Sequence, residues 1–126
     1  GRPPIRLADL VDEVTGSWPA APTAVGLVEL AGGPRSPIAH DGDGVALTGA
    51  LDPDRVLLVA DAGLGTINSV RAARDSFGDL APRLVVHLNR YDDADDLHRR
   101  NRSWLPERDG FALTTDVPAL ADTLLR

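Results

Sequence analysis

Three short stretches of the sequence bring together side chains suited to work on a charged ligand. Glu29 stands just ahead of Gly32-Gly33. A carboxylate there can face a divalent cation or an amine, while a backbone without side chains lets a phosphate or carboxylate come close. Asp61 precedes Gly63-Leu64-Gly65 and then Thr66-Ile67-Asn68, a glycine-rich turn that opens a helix. Unpaired N–H groups and the positive end of the helix dipole meet at such a turn, which suits an anion. Asn89 closes an apolar run and is followed by Arg90; the amide can read a purine edge and the guanidinium can meet phosphate. Each stretch also has a plainer reading: a glycine turn, Thr66 capping its own helix, or an asparagine that forms a turn.

Other chemistries find less support. His40, His87 and His98 share no helical ligand spacing, and His87 sits inside an apolar run, where a hydrogen-bonded structural imidazole is expected. Asp41-Gly42-Asp43-Gly44 and Asp92-Asp93-Ala94-Asp95-Asp96 lack the closing Glu of a calcium-binding EF-hand loop and read as solvated loops or a helix start. The chain has no G-x-S-x-G elbow. Cysteine is absent, which excludes disulfides, thiolate catalysis and thiolate zinc sites.

The elements that must carry these residues alternate. Apolar spacing predicts an amphipathic helix over Ile5 to Trp18, then a β-prone strand over Ala24 to Leu30 that delivers Glu29 at its end. A short helix over Gly44 to Leu51 and a turn at Asp52-Pro53-Asp54 lead into a strand from Arg55 to Asp61. Thr66 is expected as the N-cap of a helix from Ile67 to about Phe77, closed by Gly78. Further elements are strands at Arg83 to Asn89 and Gly110 to Thr114, a helix over Ala94 to Trp104, and a last helix over Val117 to Leu125 opened by Asp116, with Pro118 in its first turn. Near-continuous apolar strands between helices predict an α/β fold, a three-layer sandwich with a mostly parallel sheet, in a single domain spanning 1–126. In such sheets ligands gather beyond the carboxyl ends of the strands, so Glu29, Asp61 and Asn89 are expected along one rim.

Composition narrows the partners. The chain has 126 residues, 43% hydrophobic and 25% charged, with 19 acids, 13 bases and a net charge of -6. That balance argues against a polynucleotide partner. The apolar runs are too short to cross a bilayer, and a cytoplasmic setting is the expectation. Every base is Arg, because the sequence contains no Lys.

Val28-Glu29-Leu30-Ala31-Gly32-Gly33, then Leu57 to Asn68, then Val86-His87-Leu88-Asn89, then Val117-Pro118 resemble, in order and spacing, motifs of the C-terminal half of the dethiobiotin synthetase family. The family pattern is V-E-G-A-G-G, an apolar strand leading to L-G-x-I-N at a helix start, an Asn-ended strand, and I-P-x-L. The resemblance implies a P-loop NTPase-like fold and a homodimer. It also implies Mg2+- and ATP-dependent carboxylation and ring closure of 7,8-diaminopelargonic acid. By the same resemblance Glu29 would be a catalytic magnesium ligand, and Gly32 and Gly33 would line the reacting end of ATP and substrate. Gly65, Thr66, Ile67 and Asn68 would hold the substrate carboxylate across a dimer interface, while Asn89, Pro118 and Leu120 would frame the adenine.

Two departures stand against that pattern. Leu30 replaces its first glycine, adding bulk where the backbone should approach the ligand. The phosphate loop G-x-x-x-x-G-K-[ST] occurs nowhere, and without Lys the chain has no ammonium for it. The polypeptide alone is therefore expected to be inactive in phosphoryl transfer, and to work as an enzyme only with a separate P-loop half. The competing expectations are a non-catalytic binding or regulatory module built on the same fold, and a related amidoligase-like or acetyltransferase-associated domain.

Overall fold

The computed structural model describes residues 3–126 and divides the span expected as one domain into two compact units, Gly1–Pro53 and Asp54–Arg126.

The first unit contains helix α1 (Leu7–Gly16), a small antiparallel pair β1 (Pro37–Ala39) and β2 (Gly42–Asp43), and helix α2 (Gly44–Leu51). Asp9 in the first turn of α1 accepts a hydrogen bond from Arg6 N–H at 3.1 Å, and Leu7 N–H donates to Asp41 at 2.7 Å. These bonds satisfy two amides near the helix start, where intrahelical acceptors run out. Asp43 caps α2 by accepting from Ala46 N–H at 2.9 Å and pairs with Arg35 at 2.9 Å.

The strand expected over Ala24 to Leu30 does not form: these residues are irregular, and all but Leu30 are exposed. A β-prone run becomes a strand only where a neighbour pairs its N–H and C=O groups. Within this unit β1 and β2 pair with each other, and the Trp18 ring lies so close to Gly26 that any side chain there would collide with it. Glu29 is thus an exposed residue of an irregular segment and not the tip of a strand.

The second unit carries the parallel sheet, with three strands where four were expected, in the order β3 (Val56–Asp61), β4 (Leu84–Asn89), β5 (Ala112–Thr114). The other elements are helix α3 (Thr66–Phe77), a 3-10 turn (Gly78–Arg83), helix α4 (Asp96–Asp109) and helix α5 (Val117–Leu124). Helix α4 begins later than expected because Asp95 caps it, accepting from the amides of Leu97 and His98, and it runs on past Trp104 to Asp109, where Gly110 closes it in a left-handed conformation. β4 is central, and its first five residues are all buried, as its unbroken apolar run requires. Ala62, Val70, Val86, Leu88, Leu105 and Phe111 form the core. Sheet and helices together make a mixed α/β protein.

Helices α3 and α4 are tied by Arg71, whose guanidinium donates two 2.8 Å hydrogen bonds to Asp109 and lies 4.5 Å from the centre of the Trp104 ring. This planar fork matches a carboxylate while its face rests on an aromatic ring, a pairing that Lys cannot reproduce. The hydrogen bond from Arg71 holds the Asp109 carboxyl below its usual range, against the opposing effect of burial. Among the described residues no helix is long and apolar enough to cross a membrane.

Candidate functional site

Parallel register decides which of the expected residues meet. Asp61 and Asn89 are direct partners at the carboxyl ends of β3 and β4, and Thr114 ends β5 opposite His87, two residues before Asn89. This edge of the sheet is where loops to the following helices emerge, and it is where ligands collect in folds of this class. Asn89 is exposed there. Asp116, just beyond β5, accepts from Ala119 N–H at 2.8 Å and so caps α5. That sets the exposed Pro118 and the half-buried Leu120 in the first turns of α5, beyond the same edge.

The turn between β3 and α3 is held on several sides. Asp61 accepts from Gly63 N–H at 2.8 Å, and the Thr66 hydroxyl donates to the Asp61 carbonyl. Gly65 takes the position before the helix with φ of +88°, a left-handed conformation that residues with a Cβ adopt only at a cost. Thr66 is accordingly the first residue of α3 and not its N-cap, and its hydroxyl serves the end of the strand in place of the helix amides. Ile67 is half-buried and packs against the core, whereas Asn68 is exposed.

Two residues outside the expected set belong to this edge. Asn101 of α4, 5% exposed, donates its side-chain amide to the carbonyls of Ala62 and Gly63, both at 2.8 Å. His98, one turn earlier, accepts from Asp92 N–H through Nδ1 at 3.0 Å, which leaves Nε2 to carry the proton of the neutral ring. Its Nε2 lies 3.9 Å from Asp95 and borders the space over Gly63. Asp95 is held below the usual carboxylate range, first by the hydrogen bond from His98 N–H. Tyr91 stands 6.1 Å from the His98 ring, centre to centre. Removal from water and a hydrogen bond to Asp93 raise its phenol above its ordinary value. The one available signal for Asn101 was its spacing four residues from Leu105 in an otherwise polar helix.

Glu29, Gly32 and Gly33 belong to the first unit. Gly32 has φ of +87°, and the amide of Gly33 donates to Ser36 Oγ at 3.0 Å, so the glycine pair forms a tight turn after an exposed carboxylate. Among the described residues no group of three or more His, Cys, Asp or Glu is arranged to hold a metal. Magnesium commonly takes one or two protein carboxylates, with the remaining ligands from phosphates and water. A lone Glu29 therefore fits the ion only as part of a nucleotide complex.

A cavity of about 410 Å³ lies at the opposite, amino end of the strands, between Arg55, Leu84, Val85, Ala112 and Thr123. None of the expected site residues lines it. Comparison with protein-family models, curated proteins and solved structures gave no match.

Proposed function

We propose that this chain is the substrate-carboxylate and adenine half of a dethiobiotin synthetase-type cyclo-ligase, with the three-layer P-loop-like sandwich completed by a phosphate-loop half on another stretch of polypeptide. The reading rests on one observation above the others: Asp61 and Asn89 are paired strand tips, the first leading through Gly63-Leu64-Gly65 into the start of α3. An anion received at α3, for the site across the dimer interface, and a purine edge read by Asn89 then both lie on the ligand-bearing edge of the sheet.

Bound Mg-ATP would supply the phosphoryl group that activates a carbamate for ring closure. The residues of this chain bind and orient. Gly65, Ile67 and Asn68 offer amides at the start of α3 to a carboxylate, with Thr66, whose own amide donates to the Gly63 carbonyl, holding the turn between them, while Asn89, Pro118 and Leu120 border the base. By the family resemblance Glu29, beside the Gly32-Gly33 turn of the first unit, would be a magnesium ligand. The chain supplies no Lys to balance developing charge on phosphate, so turnover needs the other half. The substrate is a diamine bearing a carboxylate, and the assembly is a homodimer or a pair of complementary halves, set in the cytoplasm.

A non-catalytic binding module is the second reading, favoured by the irregular, exposed setting of Glu29 and by Leu30 where the family pattern has glycine. Calorimetric titration with 7,8-diaminopelargonic acid, bicarbonate as the source of carbon dioxide, and Mg-ATP, with and without a candidate P-loop half, separates the two. Binding of the diamine by the chain, and dethiobiotin formed only by the mixture, supports the enzyme. Binding without product from any mixture supports the module, and absence of diamine binding in every mixture refutes the cyclo-ligase.

A further inference from the structure

We infer that His98 is a pH-sensitive latch: its neutral ring holds residues 90–95 to helix α4 at the carboxyl edge of the sheet, and a proton on the ring releases them. The segment leaves the tip of β4 after Asn89 and enters α4 at its cap, Asp95. His98 Nδ1 accepts from Asp92 N–H at 3.0 Å, which only the neutral ring can do, because imidazolium donates from both nitrogens. Protonation therefore sets two N–H donors against each other at hydrogen-bonding distance, and the contact must break.

The surrounding charges give the protonated ring another place to turn. On its own helix, Asp95 Oδ2 lies 3.9 Å from Nε2. From the turn after β3, Asp61 Oδ1 and His98 Nε2 both reach the space over Gly63, 2.9 and 3.8 Å from the point where a Cβ would stand. On the segment itself, the Tyr91 ring is 6.1 Å away, with its hydroxyl bonded to Asp93. The nearby cations are engaged elsewhere: Arg102 rests over the Tyr91 ring at 5.6 Å, and Arg99 bonds to the Asp93 carbonyl and to Asp96. The bond from Arg99 to Asp93 is indifferent to the charge of His98, so the segment swings on a tether and does not unfold. Arg90, where the segment begins, has φ of 55°, a left-handed conformation that a residue with a Cβ adopts at a cost; release relieves it. Imidazole ordinarily changes charge between about pH 5 and 8, so the opening of this edge is set near neutrality by one ring, whatever ligand the edge receives.

Amide-resolved NMR of the isotopically labelled chain across that pH range tests the latch. The Asp92 amide resonance should move with the same midpoint as the His98 ring resonances. Its protection against hydrogen exchange, corrected for the intrinsic rate, should fall about tenfold when the ring is protonated. His98→Gln offers a carbonyl acceptor that does not titrate, and should abolish the step. Asp95→Asn keeps a capping side chain but removes a carboxylate beside Nε2, and should carry both midpoints together to lower pH.

An Asp92 amide that stands still while the His98 ring titrates overturns the latch, and so does a step that survives His98→Gln. A ring that keeps one charge state throughout the range, or midpoints that part company in Asp95→Asn, overturns it as well. Should His98→Gln not fold, the coincidence of the two wild-type midpoints and their joint movement in Asp95→Asn decide the matter.

Discussion

The carboxyl edge of the sheet is held by a buried polar pair whose removal has a calculable cost. His87 Nδ1 lies 2.9 Å from Thr114 Oγ1, the two residues are 8% and 7% exposed, and they are register partners across β4 and β5. Thr114→Val keeps the branched shape but leaves the imidazole nitrogen buried without a partner. A buried group orphaned in this way costs about 1–3 kcal/mol. A cost of about 2 kcal/mol would lower the ratio of folded to unfolded chain roughly 30-fold. His87→Leu should cost less for the lost bond, because the stranded Thr114 hydroxyl can turn to a nearby carbonyl. The double variant should therefore be more stable than the summed losses predict, by about 0.5–3 kcal/mol. Urea unfolding of all four proteins measures this, with the denaturant slope unchanged if only stability has moved. Additivity to within about 0.3–0.5 kcal/mol would refute the reasoning.

Asp109 is bonded to Arg71 and its folded pKa is depressed, so it contributes stability that is full above the pKa of the unfolded chain and is lost as pH falls through the lower folded value. The urea midpoint should thus hold steady down to about pH 5 and drop below it, with Asp95 acting in the same direction; Asp109→Asn should flatten that acid limb. Asp116→Ala removes the cap of α5 and should cost about 1 kcal/mol, which thermal unfolding measures, while loosening the helix that carries Pro118 and Leu120.

Much of the second unit was legible because its strands are continuous apolar runs. Val56 to Asp61 and Leu84 to Asn89 could hardly be anything but strands covered by helices, and the buried His87 has the hydrogen-bonded role expected of it. Asp116 and Gly78 mark helix ends because their local chemistry acts over three or four residues. What failed depends on partners distant in sequence. Ala24 to Leu30 has the composition of a strand, but composition does not supply a neighbour to pair with, and Trp18 occupies the space over Gly26. Thr66 missed its expected cap role because Gly65, free to take a positive φ, fills the position before the helix. Asn101 escaped notice because its value comes from two carbonyls nearly forty residues away. Of the proposed site, the tips Asp61 and Asn89 could be read from the chain; the brace behind them could not.

The two indoles of the sequence fall one in each compact unit, Trp18 over Gly26 and Trp104 beneath the Arg71 guanidinium. Fluorescence therefore comes with a built-in address. Replacing either ring with Phe would leave a single indole, which can be excited apart from Tyr91, so the melting of each unit can be followed by its own emission, and two curves that fail to superimpose would reveal that the halves of the chain unfold independently.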